Sequence, residues 1–207
     1  MASIYGVRVF RLSTPLLLLA VGIAIIGLGM TRRLSVGRWL AVSIFAIYLV
    51  GVAHFALLPL VFEPGASKEF GPIDLGRLIE LRPFFLSDAD VMPAAQVWLN
   101  VLLTVPFGFG LPFVINLRPR DILLVGVLFS VGIELAQLVA DALYLAGPTW
   151  SVDINDVLLN SLGVVLGYLV FGLTGTLYAA TVGRLPVARG PWAHYHETLV
   201  RRAARAE

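Results

Sequence analysis

The sequence contains no cysteine among its 207 residues, and lysine occurs only at Lys68. The lack of cysteine excludes disulfide bonds, cysteine-ligated metal sites and thiol chemistry. Charged residues make up only 14% of the chain, whereas soluble domains carry roughly 25%. The net charge of +2 is too small to indicate a nucleic-acid partner. These deficits together exclude an ordinary soluble enzyme.

Apolar residues are correspondingly abundant. They make up 58% of the chain, and the mean hydropathy is +0.89. A bilayer-spanning helix needs about 20 mostly apolar residues. Five stretches meet this requirement, at 12–30, 39–62, 96–115, 122–145 and 157–178. The predicted fold class is therefore all-α, a polytopic transmembrane bundle of about five membrane-spanning helices.

The first stretch has an alternative interpretation as a signal peptide, with Arg8 and Arg11 as its basic start. No small-x-small cleavage site precedes Thr31, so a retained helix is favoured. The chain then divides into three parts. Residues 1–38 add an amino-terminal helix and a basic loop, residues 39–178 form a four-helix membrane core, and residues 179–207 form a basic tail.

The distribution of Arg and Lys predicts the orientation of the bundle. Ten basic residues fall on the side that holds the carboxy terminus, and five fall on the other side. Because cytoplasmic loops carry the excess of positive charge, the amino terminus is predicted outside and the carboxy terminus inside. His194 and His196 lie in the basic tail, two residues apart, and are interpreted as solvated side chains rather than metal ligands.

The long loop before the third stretch is predicted to be external and acidic. Its segment 73–80 places Leu75, Leu78 and Ile79 on one helical face, which predicts a short external interfacial helix. The alternative is a plain loop in which Phe84 and Phe85 anchor the chain at the interface.

Polar side chains inside the apolar stretches are the most informative residues, because a polar group at bilayer depth is costly and usually functional or paired. At 1.5 Å per helical residue, all of them fall in the outer half of the membrane although the helices alternate in direction. This agreement predicts one shared polar cavity. The candidates are His54, Asn100, Thr104, Glu134, Gln137, Asp141, Asp153, Asn155, Asp156 and Asn160.

Two helical stripes support such a cavity. Glu134, Gln137 and Asp141 share one face of the fourth helix. On the fifth helix, the stripe has Asp156 and Asn160 followed by Gly163 and Gly167. The two glycines form a small-x-x-x-small pair that allows close helix packing. We expect this packing to hold the polar part of that stripe towards the fourth helix.

Catalysis fits the sequence poorly. There is no Ser/His/Asp set with plausible geometry and no H-E-x-x-H motif. The ligand spacing does not support a metal site, and no cofactor is predicted. Two alternatives to ligand binding remain open. The polar groups could only lock the bundle together, or Glu134 could carry protons in a coupled transporter.

Three segments resemble the VanZ-like membrane family in order and in spacing. The first runs from Asn100 through Pro106 and Gly108, and the second is the Glu-x-x-Gln pair of Glu134 and Gln137. The third is the block at 152–168, which holds Asp153, Asp156, Asn160, Gly163 and Gly167. A Pro-Phe element at 83–84 precedes them. The resemblance covers about 73–178, half of the chain.

Three departures from the family pattern matter. Val105 stands where the family often has Phe, and Asn155 replaces an Asp. Trp150 stands where an Arg commonly precedes the acidic block, so the positive charge would have to come from elsewhere, and Arg82 is the candidate.

The resemblance implies a multi-pass protein of the bacterial plasma membrane within the cell envelope. The family takes its name from a glycopeptide-resistance protein associated with teicoplanin. The implied partners are membrane lipid and a cell-wall precursor or a glycopeptide. The expected ligand-binding residues are Arg82, Asn100, Glu134, Gln137, Asp153, Asp156 and Asn160, and the expected helix-packing residues are Pro106, Gly108, Gly163 and Gly167.

Overall fold

The computed structural model contains five helices in the part of the chain that it describes. These are α1 (Thr14–Thr31), α2 (Val36–Leu57), α3 (Ala94–Val114), α4 (Pro119–Ala142) and α5 (Ile154–Val182). The prediction of an all-α bundle is therefore confirmed. The described residues are 3–4, 7–8, 10–12, 14–31, 36–57, 60–62, 79–81, 83, 94–115, 117–142, 152–182 and 198.

Four of the described helices are long and apolar enough to cross a membrane. They are α2, α3, α4 and the part of α5 at Ile154–Tyr178. The chain is thus a multi-pass membrane protein. In α1 the apolar stretch Thr14–Ile25 is shorter than a typical span, so a membrane crossing by α1 stays a prediction. Helix α2 ends five residues before its predicted end at Phe62, because Pro59 disfavours helical backbone at the residue before it.

Short strand pairs connect the helix ends, and the sequence did not predict them. β1 (Ser3–Ile4) pairs with β2 (Val7–Arg8), and β3 (Phe10–Leu12) pairs with β4 (Leu60–Phe62), both antiparallel. β5 (Ile79–Glu80) runs parallel to β6 (Val152–Asp153). The pair β3–β4 places the end of α2 beside the start of α1, and the pair β5–β6 leads directly into α5.

The strand β5 corrects the prediction for the long loop. Ile79 and Glu80 pair with Val152 and Asp153 through the backbone, so the interfacial helix predicted over 73–80 is wrong at its last two residues. Residues 73–78 and the aromatic pair at 84–85 lie outside the described residues.

Glycines bring α3 and α5 into backbone contact at the centre of the bundle. A methyl group at Gly163 would overlap the Thr104 hydroxyl, and one at Gly167 would overlap the Val105 carbonyl oxygen. From the opposite side, a methyl group at Gly108 would overlap the backbone of Val164. The glycine stripe of α5 therefore faces α3. The sequence predicted that close packing holds the polar part of this stripe towards the fourth helix; the close contact of the glycines themselves is with α3, because the spacing defines a face without saying which helix meets it.

Aromatic packing fills the half of the bundle beyond these glycines. Phe107 of α3 stacks on Phe129 of α4, with ring centroids 3.8 Å apart. Phe113 and Phe171 meet edge to face at 5.2 Å. Helix α3 continues through Pro106 and Pro112. At Leu103, one turn before the first proline, the carbonyl oxygen accepts a hydrogen bond of 2.6 Å from the Tyr48 hydroxyl of α2. This hydrogen bond lets α2 support the backbone next to the proline.

Candidate ligand cavity

A cavity of about 650 Å³ lies between α2, α3, α4 and α5. It brings together five of the seven residues that the sequence indicated as ligand-binding, and one polar residue that the sequence analysis missed, Gln96. The polar lining is Gln96, Asn100, Glu134, Gln137, Asp156 and Asn160. The apolar lining is Phe55, Ala56, Ala95, Leu99, Leu102, Leu103 and Ile133.

The polar residues lie at similar depth, at the end of the bundle where α3 and α5 begin and α4 ends. Asn100 and Asn160 each lie about 9 Å along their helix from its first residue. Glu134 lies about 12 Å from the last residue of α4. The depths inferred from the sequence therefore correspond to a single site in space.

Asp156 joins α5 to α3 within the cavity. Its Oδ1 accepts a hydrogen bond from Asn100 Nδ2, and Gln96 Nε2 donates to both carboxylate oxygens at 3.4 Å. Gln96 could have been found from the sequence, since it precedes Asn100 by four residues and lies on the same helical face. The three side chains form a hydrogen-bonded bridge between the first two turns of α3 and the first turn of α5.

Asn160 lines the cavity and carries a buried oxygen without a partner. The residue is only 2% exposed, and within the described part of the chain its Oδ1 has no hydrogen-bond partner. Its own backbone oxygen accepts a hydrogen bond of 2.8 Å from the hydroxyl of Thr104 on α3. A buried polar atom without a partner costs about 1–3 kcal/mol. The wall of the cavity therefore holds a buried acceptor that no described group satisfies.

The Glu134 side chain on α4 is hydrogen-bonded to the backbone at the start of α5. It is 3% exposed, and its Oε2 accepts a hydrogen bond of 3.2 Å from the backbone N–H of Asp153. The Asp153 side chain accepts the N–H of Asn155 at 2.8 Å and so caps α5. This cap explains why α5 begins at Ile154, three residues before the predicted start. Asp153 positions the site and does not line the cavity.

The other polar residues that the sequence indicated differ in their contacts and in whether they line the cavity. Gln137 lines the cavity and donates from Nε2 to the Ala56 carbonyl oxygen at 3.0 Å, which ties α4 to α2. His54 pairs instead with the Thr14 hydroxyl of α1, at 2.7 Å from Nδ1, and does not line the cavity. Asp141 is fully buried away from the cavity. Arg82 lies outside the described residues.

Two further observations bear on where this chain could bind a metal ion or a ligand. Among the described residues, no group of three or more His, Asp or Glu side chains is placed to hold a metal ion. A second cavity, of about 270 Å³, lies between α2 and α3 and has an almost entirely apolar lining that includes Ile44, Phe45 and Phe109. Only the larger of these two cavities collects the polar residues indicated by the sequence.

We expect the Thr104 hydrogen bond to contribute measurably to stability. Thr104→Val removes the donor to Asn160 without changing the side-chain shape, and should lower the free energy of unfolding in detergent by about 1 kcal/mol. The matched control is Thr176→Val, since the exposed Thr176 hydroxyl bonds only within its own helix, to Leu173 O at 2.8 Å. Equal effects in the two variants would contradict the proposed contribution of the α3–α5 bond.

A family model described as VanZ/LLP1 matches residues 45–175. The match extends from the middle of α2 to near the end of α5 and includes all the polar residues that line the cavity. Helix α1 lies outside it. No curated protein and no solved structure matches the chain.

Proposed function

The chain belongs to the VanZ/LLP1 family, and we propose that it binds the polar headgroup of a membrane amphiphile in the 650 Å³ cavity. The observation that carries this proposal is the unpaired Oδ1 of the buried Asn160, within a lining that collects polar groups from three helices. A cavity built only for packing would leave no costly buried acceptor unpaired.

Each predicted residue has a role in this proposal. Asn100, Gln137, Asp156 and Asn160 contact the ligand, and Glu134 sets the charge of the cavity. Asp153 acts indirectly, because it caps α5 and holds Glu134 through its backbone N–H. Arg82 lies outside the described residues and remains a proposed source of positive charge.

The apolar side of the cavity supports an amphiphile rather than a soluble solute. Phe55, Leu99 and Leu102 line the cavity and are 80%, 67% and 60% exposed in the isolated chain. At the ends of spanning helices, such side chains face lipid. A headgroup could therefore enter sideways while its hydrocarbon chain stays in the bilayer.

The proposed location is the outer leaflet of the bacterial plasma membrane. The excess of Arg on the side of the carboxy terminus supports an external amino terminus, and the cavity shares that end of the bundle with β3 and β4. A lipid-linked cell-wall precursor and a glycopeptide are the ligands that the family resemblance suggests, and a role in glycopeptide resistance would follow from binding either one.

Asn160→Ala is expected to abolish ligand binding without weakening the fold. Truncation removes an unpaired buried oxygen, so the thermal midpoint in detergent should stay the same or rise. Native mass spectrometry of protein purified gently from its native membranes should show a bound species on the wild type that the variant lacks.

Ser130→Ala is the control for this experiment, because Ser130 is fully buried on α4 and does not line the cavity. It should keep the bound species. The same bound species on all three proteins would overturn the proposal, and so would a bare wild type.

A structural role is the second candidate, and the bridge from Gln96 and Asn100 to Asp156 is the observation that favours it. In that case the polar lining only locks α3 to α5, as polar groups do in other membrane bundles. Asn160→Ala separates the two functions, since this side chain takes no part in the bridge and its loss would then change no binding.

A further inference from the structure

Three of the four side-chain amides that line the cavity already donate a hydrogen bond within the protein. Asn100 Nδ2 and Gln96 Nε2 both donate to Asp156, and Gln137 Nε2 donates to Ala56 O. In each pair the partner is a carboxylate or a backbone carbonyl, which only accepts. The orientation of all three amides therefore follows from their partners.

The groups left around the cavity include several acceptor oxygens. Each amide that has donated its N–H turns its oxygen to another direction, and Asn160 Oδ1 has no partner at all within the described part of the chain. The carboxylates of Glu134 and Asp156 add further acceptor oxygens. An acceptor-rich lining selects a ligand that presents N–H or O–H groups.

The charge of the lining points the same way. Two carboxylates line the cavity, and none of the described residues that line it is Arg, Lys or His. A phosphate placed there would meet like charge, whereas a cation would be attracted.

We propose that the group held in the cavity is a primary ammonium carried by a membrane lipid. This inference rests on the proposed function and names its ligand class. A primary ammonium offers three N–H donors and one positive charge, which the carboxylates of Glu134 and Asp156 and the oxygen of Asn160 can share. Any phosphate of the same lipid lies outside the cavity, towards the aqueous surface.

The apolar side chains that line the cavity favour a lipid, rather than a soluble amine, as the molecule that carries the ammonium. Phe55 and Leu99 would face hydrocarbon chains, and a free amine in water would gain nothing from that contact. A soluble amine shares the ammonium chemistry, so the experiment has to separate the two sources.

The test compares lipids that differ in the headgroup nitrogen. The full chain is placed in nanodiscs of phosphatidylglycerol doped with phosphatidylethanolamine or phosphatidylcholine, and lipid retention after delipidation is measured by native mass spectrometry. Phosphatidylcholine keeps the positive charge and has no N–H donor. We expect phosphatidylethanolamine to be retained at least about tenfold over phosphatidylcholine, a difference of about 1.4 kcal/mol.

Asp156→Asn and Glu134→Gln should each lose this preference. Both are nearly isosteric, and each new amide keeps an oxygen that can accept the hydrogen bonds of the native carboxylate, so folding is preserved. The control is Asp121→Asn, which removes one negative charge from the opposite end of α4, where Asp121 is 42% exposed beside Arg120. This control should keep the preference for phosphatidylethanolamine.

Three outcomes would overturn the inference. Equal retention of the two zwitterionic lipids would mean that N–H donors are not recognised, and preferential retention of phosphatidylglycerol would mean that the cavity prefers anions. Stabilisation by free ethanolamine equal to that by the lipid would overturn the lipid source. In each case a bound species lost in Asn160→Ala would still support the proposed function, so the two proposals fail separately.

Discussion

Replacing Gly167 by alanine is expected to lower the free energy of unfolding by about 3 kcal/mol or more, the upper part of the range for overpacked interiors. The new methyl group would overlap the Val105 carbonyl oxygen and lie against the backbone nitrogen of Phe109. Both atoms belong to the backbone of α3, so no side-chain rotation can make room. The helices would have to separate along their contact. Denaturant unfolding of the purified protein in detergent measures the effect.

Gly172→Ala is the matched control on the same helix. A methyl group at Gly172 meets no atom within 4 Å, so this variant should unfold at the wild-type midpoint or slightly above it, because alanine favours helix over glycine by up to about 1 kcal/mol. Similar losses in the two variants would show that α5 does not pack on α3 through its glycine stripe.

The same contact holds the cavity in shape. Asn160 lies one turn before Gly163, and Thr104 contacts both residues from α3. Separation of the two helices at Gly163 would therefore also pull the Thr104 hydroxyl away from the Asn160 backbone. The glycine stripe and the polar stripe of α5 are one structural unit, in which close backbone packing sets the distance across which the polar groups meet.

Much of the site could be predicted from the sequence because burial in a membrane makes polar residues rare and therefore informative. Asn100, Glu134, Gln137, Asp156 and Asn160 were all indicated by their depth in apolar stretches, and all five line one cavity. Depth depends only on position along a helix, so it survives errors of a few residues in the helix ends. Their role in binding a ligand stays a prediction.

Other features depend on tertiary contacts that local patterns do not encode. A two-residue strand such as β5 is too short to show alternation, and its partner β6 lies more than seventy residues later. His54 was grouped with the cavity by depth, but its place on α2 turns it to Thr14 of α1 instead. Depth places a residue along the membrane normal and leaves its direction around the helix open.

The start of α5, by contrast, could have been predicted from local sequence signals. Asp153 is a favoured N-cap residue, and Asp156 follows it three residues later in the first turn of α5, where negative charge is favourable. This pair predicts a helix that starts at Ile154. The boundary drawn from hydrophobicity alone was late because the first turn of this helix is polar.

Asp156→Ala is expected to be the most damaging polar substitution in the cavity. It would leave the amide donors of Gln96 and Asn100 without their acceptor. Both donors are only partly buried, so each loss lies at the low end of the about 1–3 kcal/mol that an unpaired buried donor costs. We expect a loss of about 2–3 kcal/mol in the free energy of unfolding, together with loss of the bound species. Denaturant unfolding in detergent, alongside native mass spectrometry, measures both.

A double-mutant cycle with Asn100→Ala separates the structural part of this effect. If the bridge between α3 and α5 stabilises the bundle, the two substitutions should be non-additive by about 1–2 kcal/mol, as for hydrogen bonds in other membrane helices. The cycle of Asp156→Ala with Ser130→Ala serves as the control and should be additive, because Ser130 bonds to Gly126 and Ser161 instead. Additivity in both cycles would mean that the bridge contributes nothing to folding and that Asp156 is kept for the ligand alone. Strong coupling with unchanged ligand binding would mean that Asp156 stabilises the contact between α3 and α5 and has no role in binding a ligand.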